Sequence, residues 1–304
     1  FPFPNFWGPL AGIQSSKWIA QSAQWIEQKY RPTLNLVYLP HLDYNLQRYG
    51  PCDTRVHSDL HAIDTLAGRL IQFFEARDIQ VILLSEYGIT EVDQPIHLNR
   101  LFREQGWITV KDELGLEQLD CGASGAFAIA DHQIAHIYLN NPTLKETVRE
   151  TLLATEGVSE VLNADSMPDY SIDHARAGDL IAIADKRSWF TYYYWQDDAY
   201  APDFARCVDI HRKLGYDPVE LFIDPNLKFP KLKVAQKLLR KKLGFRTLMD
   251  LIPLDASLVR GSHGRIPSDK MDWPVLITNS SHKADTSIGS TDVFQHLLEQ
   301  ISCI

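Results

Sequence analysis

Short apolar runs alternating with helix-period stretches set the tightest limit on this chain. Residues 34–39 read LNLVYL and stop at Pro40, and residues 80–84 read QVILL. Apolar runs this short predict strands covered on both faces. Between them Leu60, Ile63, Leu66, Ala67, Leu70, Ile71 and Phe74 recur at helical spacing within residues 59–77. A strand, a helix and a strand in that order predict a parallel pair joined by a right-handed crossover. Helices are also predicted over residues 15–29, 98–105, 144–154, 231–243 and 291–301, the last with Thr291 as N-cap. Residues 127–130, 135–139, 158–162, 180–184 and 274–277 read as further strands. The middle group suits an inserted β–α–β unit with antiparallel pairing.

At about 150 residues per domain, 304 residues make one large domain or two small ones. No run of 18 apolar residues occurs, so no membrane span is expected. Thirty basic against 39 acidic residues leave a net charge of −9, which argues against a nucleic-acid duplex as partner. Cys52, Cys121, Cys207 and Cys303 lack the spacing of a zinc site. They read as buried inert thiols in a reducing, cytoplasmic setting. The opening FPFPNFWGP has neither the charged nor the long apolar region of a signal peptide. It begins at Phe1 rather than Met, which raises the expectation that the natural start lies upstream. No Walker A, GxGxxG or GxSxG motif occurs.

Ligands of open α/β sheets gather beyond strand ends, and three polar clusters lie at such places. They are His41 with Asp43, then Ser85-Glu86-Tyr87-Gly88, then Gly261-Ser262-His263-Gly264. Asp43 reads either as a turn cap or as a carboxylate reaching a metal or polar substrate. Glu86 reads as an oxygen ligand, a general base or a plain loop residue. Gly88 allows a positive φ or a close backbone approach. Asp209 and His211, two apart, would share a face on a strand and so make a modest metal signal. The aromatic stretch 189–195 either packs a core strand or stacks a flat substrate group. His136 reads as a packed strand residue and His132 as a more open turn residue. Arg176 either contacts a phosphate oxygen or sits in a solvated loop. Lys237, Arg240, Lys241 and Lys242 read as a solvated helix end.

Taken in order, these segments resemble the alkaline phosphatase superfamily, in its type I phosphodiesterase/nucleotide pyrophosphatase branch. That branch carries P-D-x-x-G-H-x-x-G-P, then S-D-H-G-M, then L-N-x-x-L-x-x-x-G-L, and a late H-G ahead of an apolar strand. This chain has LDYNLQRYGP, SEYGI, LNRLFREQGW and HGRIPSDKMDWPVLI. The resemblance implies an alkaline-phosphatase-like α/β fold with a mostly parallel central sheet, helices on both faces and a small α+β insertion. It implies core segments at 1–110 and 179–304 around an insertion at 111–178.

The same resemblance implies a hydrolase of phosphodiester or pyrophosphate bonds that uses two divalent ions (zinc, manganese or magnesium) and a covalent nucleophile. The substrate would be a small phosphate ester or nucleotide. Carried over by position, the branch's metal Asp and His fall on Asp43 and Gln47, its second Asp and His on Glu86 and Tyr87, and its late His on His263. Two imidazoles are thus replaced, which favours oxygen-loving ions. Asp43, Glu86 and His263 are the expected metal ligands, with Asp209 and His211 as supplements. His41, Gln47, Tyr87 and Arg176 are the expected substrate contacts. The branch's nucleophile has no counterpart here and is expected outside this chain. The alternative is a non-catalytic binding or scaffold protein with a degenerate metal site on the same fold.

Overall fold

Residues 1–278 and 287–302 are described by the structure, a computed structural model. Along the chain run α1 (Ile13–Tyr30), α2 (His41–Tyr49), α3 (Val56–Glu75), β1 (Ile82–Leu84), β2 (Thr90–Glu91), β3 (Gln94–Ile96) and α4 (Leu98–Glu104). They are followed by β4 (Val110–Glu113), β5 (Leu116–Leu119), β6 (Ala126–Asp131), β7 (Ile134–Leu139), α5 (Lys145–Leu153), β8 (Val158–Leu162), β9 (Leu180–Ala184) and β10 (Ser188–Phe190). The last elements are α6 (Pro230–Lys242), β11 (Gly261–Ser262), β12 (Leu276–Thr278) and α7 (Val293–Ser302). α1 and α3 to α7 fall where their apolar spacing predicts, whereas α2 forms in the Pro- and Gly-bounded stretch read as a loop. Thr291, the expected N-cap of α7, lies within a short 3-10 turn ahead of it.

The α/β class holds, with a pairing different from the expected one. The largest sheet runs β6-β7-β9-β8 and is antiparallel throughout. Parallel pairing among the described residues is confined to β3 with β10 and one bridge between Ala130 and Gly215. A two-residue turn at His132–Gln133 joins β6 to β7, and so short a link allows only antiparallel neighbours. Alanines 126, 128, 130, 135, 182 and 184 of this sheet share one buried core with Trp189, Phe190, Tyr192, Tyr193, Tyr194 and Trp195. Small residues on the strands leave room for that aromatic run, as close packing requires. The stretch 189–195 is therefore core.

Residues 34–39 correct the expectation of a buried strand. They pair with nothing among the described residues, and Leu34, Leu36 and Tyr38 are exposed. Val37 and Leu39 face the cluster of Ala20, Ala23, Leu70 and Phe74 between α1 and α3. One face is covered rather than two, so the apolar run signals coverage that only alternate residues receive. The crossover partner is likewise different: β1 pairs antiparallel with β12. Cys207 is buried and Cys121 half-buried, but Cys52 is exposed, against the expectation of buried thiols. Cys303 lies outside the described residues. No helix among the described residues is long and apolar enough to cross a membrane.

Candidate functional site

Pro40 ends the extended segment and opens α2, placing Asp43 in the first helical turn. The Asp43 backbone N–H donates to the Pro40 carbonyl at 3.2 Å. Its side chain caps nothing and instead accepts from the Tyr87 hydroxyl at 3.2 Å. Gln47, one turn on and on the same face, is fully buried, donates to Asp43 and reaches the Tyr216 hydroxyl at 3.4 Å. Tyr87 lies in the loop between β1 and β2. Its ring stacks on His263 with centroids 3.5 Å apart and planes within 6°. His263 follows β11 directly and packs on His132 at 3.9 Å, which in turn packs on Tyr216 at 4.2 Å.

Close backbone approaches hold these loops together. β11 pairs with β2 through Ser262 and Thr90. The Arg260 N–H donates to the Gln47 carbonyl at 2.9 Å, and the Gln133 N–H to the His263 carbonyl at 2.8 Å. A Cβ at Gly261 would collide with the Leu46 carbonyl, and one at Gly88 with the Asp272 carbonyl. Gly88 serves close approach rather than a positive φ. His132 takes φ 57° at the tight β6–β7 turn, a conformation His tolerates better than bulkier residues. It is buried against His263, against the expectation of an open position.

Burial acts on every group in this cluster without an opposing charge nearby. It raises the Asp43 carboxyl, with the Gln47 and Tyr87 hydrogen bonds opposing it. It lowers His263 to about 4 and His132 well below its usual value. It raises the phenols of Tyr87, Tyr216 and Tyr38. The histidines are neutral at working pH, and the phenols remain donors. The cluster is thus a wall of neutral donors and acceptors around one carboxylate, suited to gripping and orienting a polar ligand.

Glu86 is exposed beside this wall and acts on Asp43 through charge. The remaining sequence candidates lie elsewhere. His41 turns toward α3 and contacts Asp59 at 3.1 Å. Asp209 and His211 sit in a turn, so the strand geometry that would align them is absent. Asp209 is held by Arg212 at 2.6 Å, and His211 is exposed. Arg176 is exposed in the loop before β9, where its carbonyl accepts from Tyr138. His136 is half-buried in β7 and accepts from the Gly178 N–H at 3.1 Å. Tyr38, His132 and Tyr216 were not singled out as site residues. No sequence signal marks Tyr216 beyond Gly215 beside it, which lets the chain touch Ala130.

The divalent ions implied by the sequence resemblance do not fit this arrangement. Tyr87 lies against both prospective ligands of one ion, its hydroxyl on one oxygen of Asp43 and its ring on the face of His263. Among the described residues, no three His, Cys, Asp or Glu side chains converge to hold a metal.

Comparison with known proteins adds the following. A family model described as type I phosphodiesterase/nucleotide pyrophosphatase matches residues 5–217. The structure of human ectonucleotide pyrophosphatase/phosphodiesterase 5 aligns with TM-score 0.51 at 16% identity, covering 93% of this chain and 58% of that one. The murine counterpart, in an inactive form with AMP, aligns over the same shares with TM-score 0.47 at 16% identity. Phosphonoacetate hydrolase from Sinorhizobium meliloti 1021, with phosphonoformate, aligns with TM-score 0.44 at 15% identity, over 63% of this chain and 46% of that one. The chain spans about half the length of these structures. A search of curated proteins found no match.

Proposed function

Since the chain belongs to the type I phosphodiesterase/nucleotide pyrophosphatase family, we propose that it serves a hydrolase of phosphodiester or pyrophosphate bonds in small phosphate esters or nucleotides. One observation carries this reading. Asp43, Gln47, Tyr87 and His263, the positions matched to the family's ligand motifs, meet in one wall from three distant parts of the chain. That meeting supports a site at the family's position, with its side chains changed. In it the neutral His263 accepts a hydrogen bond or a proton. Asp43 orients the hydroxyl of Tyr87, and Tyr216, positioned by Gln47, offers a donor to a ligand oxygen. No step is routed through a metal, because no three ligating side chains converge here among the described residues.

The same Tyr87 contacts favour a second reading, in which the wall binds a nucleotide such as AMP without turning it over. Hydrolysis of bis-p-nitrophenyl phosphate and of a dinucleoside pyrophosphate separates the two, measured with and without added manganese. The hydrolase reading expects turnover that falls about 100-fold or more in His263→Ala, the scale of losing a positioned acid–base group. AMP binding by calorimetry with no turnover under any condition would replace it with the binding reading.

A further inference from the structure

The helix α6 is turned inside out. Amphipathic helices bury their apolar stripe, yet no residue of α6 is buried. Its body-facing side is polar: Lys233 and Lys237 both pair with Asp250, Lys233 at 3.1 Å, and Val234 lies half-buried between them. Leu232, Leu239 and Leu243 recur at spacings of seven and four, which puts them on one side at 100° per residue. That side lies opposite Lys233 and Lys237, and the three leucines are 68%, 58% and 66% exposed. Phe229 and Phe245 flank the helix and are also exposed.

Charge gives the second half of the pattern. Between Asp224 and Asp250 the chain holds eight Lys and Arg residues and no Asp or Glu, in a protein of net charge −9. Lys231 and Lys242 border the leucine stripe on one edge and Arg240 on the other. Beside the helix, a cavity of about 460 Å³ is lined by Arg206, Arg240 and Arg246 along with Lys237, Asp203 and Asp250.

We propose that α6 and its flanks dock on an anionic lipid surface. An outward leucine stripe bordered by cations fits the boundary between acyl chains and negative headgroups, with long Lys and Arg stems reaching up to the charge. At 1.5 Å per residue the helix lies about 20 Å along such a surface. The two phenylalanines would enter at its ends, and Arg240 would meet headgroup phosphates, while Arg246 is held by Asp203 at 2.8 Å. Charge complementarity favours lipid over a second copy of this chain, because the copy carries the same cationic face.

Flotation of the 304-residue chain tests this, with phosphatidylcholine vesicles and with vesicles about one-third phosphatidylserine. The expected result is recovery with the anionic vesicles only, weakening as salt shortens the Debye length. Lys231→Glu with Lys242→Glu, on the edge of the stripe, should reduce recovery about tenfold or more. Leu239→Ser with Leu243→Ser should do the same while leaving the circular dichroism unchanged, because these side chains are exposed. Recovery with neither vesicle, or equal recovery with both, would overturn the proposal. So would charge reversal without effect. Self-association relieved by the leucine variants would assign the stripe to a second copy instead.

Discussion

Trp7 and Tyr216, with ring centroids 5.2 Å apart, stand between two buried polar clusters. On the Trp7 side, the fully buried Lys213 ammonium pairs with Asp217 at 2.7 Å and Glu220 at 2.8 Å. Glu220 also accepts from the Trp7 indole at 2.6 Å and the Asp209 N–H at 2.9 Å. Burial there is outweighed by the two carboxylates, and Lys213 titrates above its usual range. On the Tyr216 side, the wall around Asp43 has no opposite charge. Burial is the largest influence, and each group moves toward its neutral form. The first cluster is complete within the chain, as a structural network should be. The second lacks a counter-charge, and its His263 ring is held by stacking rather than by a hydrogen bond, the condition expected where a ligand supplies the rest.

The sharpest way to break this contrast is Lys213→Met. Two buried carboxylates would lose their counter-charge, at a cost of about 3–5 kcal/mol in urea unfolding. A loss below about 1 kcal/mol would show the triad to be dispensable. Acid probes the other side. His263 and His97 both titrate near 4 in the folded chain because burial disfavours the charged ring. Unfolded histidine titrates near about 6.5, so between those values only the unfolded state gains the proton. Their contribution is fully present above about pH 6.5 and is lost as pH falls toward 4, by up to about 3 kcal/mol per ring. Urea midpoints across that window should fall in acid. The slope should fall further on going from His97→Gln to His97→Gln with His263→Gln, and no difference between the two would mean that His263 is solvated. The smallest effect comes from Tyr87→Phe. The ring stays on His263, and stability changes by about 1 kcal/mol. Because the Tyr87 hydrogen bond lowers the Asp43 carboxyl, its loss should move that carboxyl higher. Carboxyl titration by NMR would read this, and an unmoved Asp43 would break the coupling.

Local physics made part of this fold legible in the sequence. The apolar spacing of α3 and α5 and the strand runs of β6 and β7 each bury one consistent face, so their periodicity carries the reading, while β9 is buried throughout. Residues 34–39 carry the same apolar signal as a buried strand, but coverage of the second face depends on distant packing that no window can see. Pairing direction was equally hidden, because apolar runs do not encode it. Within the site, Asp43, Gln47, Tyr87 and His263 were reached through the order of motifs rather than through their local chemistry. His132 was read as open because it is polar and lies in a turn, yet the tertiary fold closes His263 over it. Asp209 and His211 were read from a strand periodicity that a turn does not have.

The glycines at 88 and 261 have a consequence for how such a site can change. Gly261 fixes the gap between the backbones that carry Gln47 and His263, and Gly88 seats the Tyr87 loop against Asp272, so the spacing of the wall does not depend on the side chains it displays. Exchanges at Gln47 or Tyr87 can therefore re-specify the chemistry on a scaffold that stays in register. A single methyl group at Gly261 would instead wedge α2 from β11 and dislocate Asp43 and His263 together. The scaffold is brittle at two positions, and that brittleness leaves the positions beside them free to drift.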